Sequence, residues 1–186
     1  MKIVALCASL RGDSLNRKLL SLAVSEAKES GAAIESIDLR AFPLPAYDGD
    51  LEASSQGIPS KVYELNEKIV DSQGIIVASP EYNYSIPGHF KNTFDWLSRL
   101  KPVPFSKKAV LLMGASPSLI GAQRCLWSLR VPFEAVGAFV HPDMYSLPNA
   151  DTAFDSEGRL SDPERIKRLK SNVSAFLEFA GKLSSV

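Results

Sequence analysis

The sequence predicts an open, doubly wound α/β sheet in which parallel strands carry helices on both faces. Short runs of almost purely apolar residues indicate strands that are covered on both sides. These runs alternate along the chain with longer amphipathic segments, which are typical of helices packed on a sheet. The length of 186 residues suits one domain. We therefore expect a single domain that spans residues 1–186.

The five predicted strands differ in how clearly the sequence marks them. The first, third and fourth read KIVALCA, GIIVA and AVLLMGA, at Lys2–Ala8, Gly74–Ala78 and Ala109–Ala115. Because these runs are near-continuously apolar, they are expected in the buried centre of the sheet. The second and fifth strands have weaker patterns and are placed near Ala33–Leu39 and Ala138–Val140.

Four helices are predicted between these strands, from apolar residues that recur three or four positions apart. They cover Leu15–Ser30, Ser60–Ser72, Pro87–Leu100 and Ala122–Val136. Pro132 predicts a kink or a break in the last of them, because proline has no N–H to donate to the preceding turn.

The C-terminal helix has the clearest helical pattern in the chain. A capping pair at Ser161–Asp162, followed by Pro163, marks its start. Ser85 is expected to cap the helix that has Pro87 in its first turn. The segment Arg40–Pro59 is rich in proline and is predicted to be a surface loop. The apolar face of the C-terminal helix consists of Ile166, Leu169, Val173, Phe176, Leu177, Ala180 and Leu183.

Charge and hydropathy exclude several classes of protein. The 21 basic side chains are balanced by 21 acidic ones, whereas a nucleic-acid-binding domain usually presents a basic face. No apolar stretch approaches the roughly 20 residues needed to cross a bilayer. The N-terminal apolar run is too short for a signal peptide. We expect a cytoplasmic protein that binds neither nucleic acid nor membrane.

The cysteines and histidines do not form a recognisable site. Cys7 lies in an apolar run and Cys125 in a predicted helix, and the chain has no CxxC motif, so both are interpreted as small buried residues. His89 and His141 have no Cys, Asp or Glu partners at metal-ligand spacing. We therefore expect no bound metal, and a structural or solvent-facing position for both imidazoles.

A ligand site is expected where three loops follow buried strands. In doubly wound sheets, ligands bind beyond the carboxyl ends of the strands, at the point where the strand order reverses. The segments concerned are the first loop (Ser9–Ser14), the second loop (Ser79–Pro87) and the third loop (Ser116–Ala122).

The first loop leads into a helix and has the side chains that a phosphate requires. Free N–H groups and the positive end of the helix attract an anion. Ser9, Ser14 and Asn16 can hydrogen-bond its oxygens, and Arg11 can add a charge-assisted bond. The loop matches neither GxxxxGK[ST] nor GxGxxG. The local sequence equally allows that Ser14 only caps the helix and Arg11 is solvated, and Asp13 repels a phosphate unless it points away.

The second and third loops are suited to a planar ligand. In the second loop, Pro80 restricts the backbone, and Tyr82, Asn83 and Tyr84 offer flat aromatic surface and an amide. A surface turn with incidental aromatic residues is the alternative interpretation. In the third loop, small residues around Ser116 allow a ligand to approach the backbone closely.

Three segments together resemble the NADPH-dependent FMN reductase family. They read ASLRGDSLNRKL, PEYNYSIPGHFKNTFDWLSR and GASPSLIGAQRCLWSLR, and the resemblance covers roughly residues 1–140. The family includes quinone, chromate and azo-dye reductases with a flavodoxin-like fold. The resemblance implies five parallel strands in the order 2-1-3-4-5, bound FMN, and NADPH or NADH as co-substrate. It also implies a homodimer or a dimer of dimers, whose partner subunit helps to wall the flavin site.

The residues that the resemblance assigns to FMN lie in or next to all three loops. Those for the phosphate are Ser9, Arg11, Ser14 and Asn16. Those for the ribityl chain and the isoalloxazine ring are Pro80, Glu81, Tyr82 and Asn83, with Ser116 on the other side of the flavin. Ala8 and Ala122 stand where the family commonly has glycine. Their methyl groups are expected to crowd the phosphate turn and alter the flavin edge, respectively.

The resemblance further implies an FMN-dependent NAD(P)H oxidoreductase with a ping-pong mechanism. Two electrons would pass to quinones, free flavin, azo dyes or oxidised metal species such as chromate. No catalytic side chain is expected, because the flavin carries the chemistry. A flavodoxin-type electron carrier and an FMN-binding sensor are the alternatives, and neither would oxidise NAD(P)H itself. The neutral net charge argues against the carrier, because docking carriers tend to be strongly acidic.

Overall fold

A computed structural model describes residues 1–184, so positions 185 and 186 of the expected domain lie outside the described residues. Strands and helices alternate as the sequence predicts. The strands are β1 (Lys2–Cys7), β2 (Ala33–Ile37), β3 (Gly74–Ala78), β4 (Ala109–Ala115), β5 (Phe139–Val140) and β6 (Tyr145–Leu147). The helices are α1 (Leu15–Glu29), α2 (Gly49–Ala53), α3 (Ser60–Val70), α4 (Gly88–Leu97), α5 (Gln123–Ala135) and α6 (Pro163–Leu183).

The sheet is parallel and has the strand order β2-β1-β3-β4-β5, which confirms the predicted order. The order reverses at β1, because β2 lies on one side of it and β3 on the other. The carboxyl ends of β1, β3 and β4 are therefore neighbours at one edge of the sheet. This edge positions the three loops beside one another.

Two apolar cores cover the two faces of the sheet. Successive residues of a strand point to opposite faces, so Val4 and Leu6 contribute to one core while Ile3 and Ala5 contribute to the other. Helices α3, α4 and α5 pack on the first core, and α1 and α6 pack on the second. All residues of β3 and β4 are buried, which explains their continuous apolar sequence.

The fifth strand position is divided into two short strands, of which the sequence analysis predicted one. β5 pairs with the start of β4, where Ala109 aligns with Phe139. β6 pairs with the end of β4, where Ala115 aligns with Leu147. A three-residue strand carries too little periodic pattern to be recognised, although β6 directly supports the third loop, as described below.

Local predictions at helix ends were partly wrong. Helix α5 continues past Pro132 to Ala135, so this proline does not break the helix. Ser85 does not cap α4: Pro87 occupies the N-cap position, and the backbone of Ser85 pairs with Tyr82 instead. Asp162 does cap α6, and its carboxylate accepts the Glu164 N–H at 2.8 Å.

The expected surface loop between β2 and α3 contains some regular structure. Leu39–Ala41 forms a 3-10 turn, and α2 is a single short helix. Asn92 and Trp96 of α4 both donate to the Pro45 carbonyl, at 2.8 and 2.9 Å, which fixes the loop against the sheet layer. None of the helices within residues 1–184 is long and apolar enough to cross a membrane.

Candidate active site

The three loops meet in one cavity of about 130 Å³ at the carboxyl edge of the sheet. Of the nine residues predicted to bind the ligand, all of which the structure describes, eight line this cavity. The ninth, Asn83, does not. The meeting of the three loops follows from the strand order, since β1, β3 and β4 are adjacent. The lining consists of Ser9, Arg11, Ser14, Leu15, Asn16, Pro80, Glu81, Tyr82, Ala115, Ser116 and Pro117.

The first loop presents anion-binding groups to this cavity. Ser14 is the N-cap of α1, and its hydroxyl accepts the Arg17 N–H at 3.4 Å. The Ser9 hydroxyl accepts the Arg11 N–H at 3.4 Å, which leaves its own proton available to a ligand. The Arg11 side chain is exposed and forms no ion pair with any residue from 1 to 184. Together with the unpaired N–H groups of the first helical turn, these groups suit a phosphate.

Asp13 does not oppose an anion in the cavity. Its carboxylate lies 2.9 Å from the Lys18 ammonium, one turn along α1, and it does not line the cavity. The same lysine lowers the pKa of Asp13 from its usual value. The carboxylate is therefore both turned away and compensated by a neighbouring cation.

Asn16 is buried and connects the start of α1 to the end of β4. Its Nδ2 donates to the Ala115 carbonyl at 2.9 Å, and its Oδ1 accepts the Ala115 N–H at 2.8 Å. The two bonds use one donor and one acceptor of the amide, so Asn16 lines the cavity with a side chain that is already engaged.

The second loop contains a tight turn from Tyr82 to Ser85. The backbones of these two residues exchange hydrogen bonds of 3.2 and 3.0 Å. The two central residues, Asn83 and Tyr84, have φ angles of 48° and 65°. Positive φ at both positions is the geometry of a type I′ turn, which asparagine accepts easily and tyrosine does not. This strained conformation turns the Tyr84 ring outward, 68% exposed.

Arg124 contacts both a central residue of this turn and the residue that precedes it. Its guanidinium lies 4.3 Å from the centre of the Tyr84 ring, and its Nη1 is 3.1 Å from the Glu81 carboxylate. The cation–π contact and the ion pair together stabilise the strained turn. No local pattern in the sequence assigns this arginine to the site, because it lies 43 positions after Glu81.

β6 holds the third loop in place. The Ser116 N–H donates to the Leu147 carbonyl at 3.2 Å. The Ser146 hydroxyl is 2.9 Å from the carbonyl oxygens of both Ile120 and Gly121. Since Ser146 lies 25 residues from Gly121, no spacing in the sequence marks it as a support for the site.

The expectation that the methyl groups of Ala8 and Ala122 crowd the phosphate turn and alter the flavin edge stays a prediction. Both are fully buried, and neither lines the cavity. The Ala8 methyl belongs to an apolar core. Ala122 has a φ angle of 68°, at the N-cap of α5, and a side chain on Gly114 would lie 2.8 Å from its methyl carbon. The methyl groups of both residues therefore pack inside the protein.

The thiols and imidazoles lie outside the lining of the three-loop cavity. Cys7 and Cys125 are free and buried, and burial raises the pKa of both, that of Cys125 to about 11. Burial lowers the pKa of His89, which keeps its imidazole neutral near pH 7. His141 is 6% exposed and contacts the Asp143 carbonyl at 3.0 Å. Within residues 1–184, no cluster of three or more acidic, histidine or cysteine side chains could hold a metal ion.

A larger cavity of about 360 Å³ lies on the β2 side of the first loop. Its walls are mostly apolar and include Leu10, Leu39 and Phe42. The residues predicted to bind a ligand do not line it. We therefore assign the candidate active site to the smaller cavity, because the anion-binding groups converge there.

Comparison with known proteins identifies the family of this chain. Residues 1–152 match the family described as NADPH-dependent FMN reductase. The chain is 32% identical to a quinone reductase of Escherichia coli K12, over 96% of this chain and 95% of that protein. It is 36% identical to an NAD(P)H:quinone oxidoreductase of Solanum tuberosum, over 98% of this chain and 94% of the relative.

Solved structures show the same architecture. A flavoenzyme NAD(P)H:(acceptor) oxidoreductase from Paracoccus denitrificans superposes with a TM-score of 0.83 at 30% identity, covering 97% of both chains. An archaeal flavodoxin, at 10% identity, shares the fold with a TM-score of 0.66 over 97% of this chain and 99% of its own. The predicted family and the predicted flavodoxin-like fold are both confirmed. The chain belongs to the NADPH-dependent FMN reductase family of oxidoreductases.

Proposed function

We propose that this chain binds FMN in the three-loop cavity, oxidises NADPH or NADH, and passes two electrons to a small acceptor. The observation that carries this proposal is the convergence of the three predicted loops on one cavity that has anion-binding groups at one end. Family membership supports the same cofactors.

The donors of the first loop fit the phosphate group of FMN. Arg11 provides a positive charge that forms no ion pair within residues 1–184, Ser9 a free hydroxyl proton, and the start of α1 its unpaired N–H groups. Ser14 contributes mainly as the cap of α1. Asn16 stabilises the site through its two hydrogen bonds with the backbone of Ala115.

The remaining part of the site suits a flat ring that stays partly exposed. Pockets that enclose a whole ligand usually measure about 300–1,000 Å³, and this cavity measures about 130 Å³. Pro80 and Tyr82 from the second loop and Ser116 from the third would hold the ring, with Asn83 at its edge. Tyr82, which lines the cavity, is 43% exposed, and Leu119, two positions after the lining residue Pro117, is 82% exposed, so the second and third loops keep apolar surface accessible.

An open mouth favours a ping-pong mechanism, in which NAD(P)H and the acceptor use the same surface in turn. When bound, FMN supplies the chemistry by accepting a hydride and passing on two electrons. The residues of the chain bind and orient the reactants, and none of them needs to transfer a proton. Such an unselective surface would accept quinones, free flavin, azo dyes or chromate. Parallel double-reciprocal plots of initial rates would support the shared surface, and intersecting plots would contradict it.

We further propose that residues 1–186 form one domain that assembles into a homodimer or a dimer of dimers. Trp127 and Val131 lie one turn apart on α5 and are 58% and 69% exposed, which is unusual for a helix of a monomer. The two unpaired cysteines suit a reducing compartment such as the cytoplasm. Light scattering on wild type and Trp127→Glu tests the assembly: a dimeric wild type supports it, and a monomeric wild type contradicts it.

The central test is a visible spectrum of the purified protein after FMN addition and desalting, repeated anaerobically with NADPH. A retained flavin spectrum that bleaches with NADPH is expected. Retained flavin that stays oxidised with both NADPH and NADH would favour an electron carrier or a sensor. Loss of the flavin on desalting would contradict the assignment of the three loops.

A further inference from the structure

Helix α5 begins without a cap from its own sequence. Its N-cap residue is Ala122, which has no side-chain acceptor for the unpaired N–H groups of the first turn. Gly121 and Ala122, the last two residues of the third loop, both have left-handed φ angles, of 60° and 68°, and α5 begins at the next residue. Because no residue separates the third loop from α5, a shift of the helix start would also shift the loop.

Glu81 of the second loop supplies the missing cap. Its Oε2 accepts the N–H groups of Arg124 and Cys125 at 3.0 and 3.1 Å, and its Oε1 lies 3.1 Å from the Arg124 guanidinium. The Glu81 side chain is only 10% exposed. A carboxylate at the positive end of a helix is stabilised by both the free N–H groups and the helix dipole.

We propose that Glu81 is a positioning residue that fixes the separation between the second and third loops, and thus the shape of the flavin site. The inference rests on the proposed FMN site and revises the role of Glu81 within it. Its carboxylate accepts three hydrogen bonds from the start of α5, so it acts through the helix rather than by contact with the cofactor. Asn16 makes the corresponding connection between α1 and the strand that precedes the third loop.

The same contact also directs the phosphate to one helix. Leu15 and Asn16 at the start of α1 line the cavity, and the start of α5 is bonded to the lining residue Glu81, so each helix start could attract an anion. The Glu81 carboxylate occupies the start of α5 with a negative charge, whereas the start of α1 faces Arg11 and the hydroxyl of Ser9. The phosphate is therefore expected at α1.

The test compares Glu81→Ala and Glu81→Gln with two control variants on α5. Leu129→Ala removes a side chain that is 1% exposed, and so lowers the stability of α5 without touching the loops. Glu134→Gln makes the same chemical change as Glu81→Gln, but at an exposed carboxylate that pairs with Arg130. The measurements are Tm, the Kd for FMN, and the visible circular dichroism of bound FMN at saturation.

Glu81→Ala is expected to raise the Kd for FMN by roughly 10-fold. Without the Glu81 cap on α5, the second and third loops adopt the binding geometry less often. The dichroism bands of FMN bound to this variant should also change, since the ring is held differently. Glu81→Gln retains one acceptor oxygen and should raise the Kd by about 3-fold. Leu129→Ala should lower Tm but leave the dichroism of bound FMN unchanged, and Glu134→Gln should change neither.

The outcomes separate this inference from the proposed function. If wild type binds FMN but Glu81→Ala has the same Kd and dichroism, Glu81 does not position the loops. An equal change in Leu129→Ala would show that loss of stability alone explains the effect, and would also overturn the inference. Failure of wild type to bind FMN would overturn the proposed function as well. If Glu81→Ala does not fold, Glu81→Gln is judged by the same criteria.

Discussion

Asn16 and Ala115, which are 99 residues apart, exchange two hydrogen bonds at the base of the candidate active site. The amide of Asn16 thereby satisfies both backbone groups of the residue that ends β4. Because Asn16 is only 3% exposed, water has little access to replace these bonds. The relative position of the first and third loops depends on this pair.

We expect Asn16→Ala to lower the free energy of unfolding by about 2–4 kcal/mol, because it leaves two buried backbone groups of Ala115 unpaired. Urea unfolding of the FMN-free protein measures this loss. Ser128→Ala, which removes an exposed hydroxyl bond within α5, is the control and should cost less than about 0.5 kcal/mol. Wild-type stability in Asn16→Ala would show that the pair does not contribute to folding.

Arg11 is expected to act on the phosphate without contributing to folding. It is exposed and forms no ion pair among residues 1–184, so Arg11→Ala should change stability by less than about 0.5 kcal/mol. The loss of one charge-assisted bond should raise the Kd for FMN by about 10-fold. Added salt should reduce this difference between wild type and variant.

Riboflavin, which lacks the phosphate, provides the matched measurement for Arg11. Its Kd should be the same for wild type and Arg11→Ala. Arg40→Ala, at an exposed arginine that pairs with Asp38 outside the cavity, should leave the Kd for FMN unchanged. An equal loss of riboflavin and FMN affinity in Arg11→Ala would place the arginine away from the phosphate.

Gly121 and Gly158 allow backbone strain to be separated from steric overlap. Both have left-handed φ angles, 60° and 78°. A methyl group on Gly121 would lie 2.5 Å from the Ser146 Oγ and 2.7 Å from the backbone of Leu147, whereas one on Gly158 would meet nothing within 4 Å. Gly158→Ala should therefore cost about 1 kcal/mol, from backbone strain alone.

Gly121→Ala should cost about 2–5 kcal/mol, because overlap with β6 adds to the same strain. It should also weaken FMN binding, since the third loop must move away from Ser146. Urea unfolding and an FMN titration of both variants check these values. Equal stability of the two variants would mean that β6 does not constrain the third loop.

The buried strands could be predicted because burial on both faces requires a continuous run of apolar residues, which is visible in the sequence. Residues of β3 and β4 are covered on both faces, so almost every position must be apolar. The meeting of the three loops then follows from a general rule about parallel sheets rather than from any single residue. β6 has no such run of apolar residues, because it consists of only three residues, which pair with the end of β4.

The roles of individual polar residues could not be predicted in the same way. Asn16 and Glu81 lie at the carboxyl edge of the sheet, where a polar side chain can either contact a ligand or satisfy buried backbone groups. Their partners, Ala115 and the start of α5, are 99 and 43 residues away. Only the three-dimensional structure brings these groups together, so the sequence alone left both roles open.

The Cys125 thiol should be unreactive in the folded protein at neutral pH. Burial raises its pKa to about 11, although the Ser79 hydroxyl lies 3.3 Å from its sulfur and favours the thiolate. At pH 8 a thiol of pKa about 11 has roughly 100-fold less thiolate than one at the ordinary value of 9.0. We expect reaction with a chromogenic disulfide reagent to be negligible at pH 8 in the native protein. Both cysteines should react rapidly in denaturant.

The pH dependence of this reaction follows from the sign of the shift. A raised pKa means that the folded state disfavours the thiolate, so unfolding becomes easier as the pH rises above the unfolded value near 9. The native reaction rate should increase up to about pH 11 and level off there. In Cys125→Ser, the reaction of Cys125 with the reagent should be absent at every pH, and only the reaction of Cys7 should remain. A fast reaction of Cys125 in the native protein at pH 7 would show that the second loop often moves away from the start of α5 and exposes the thiol.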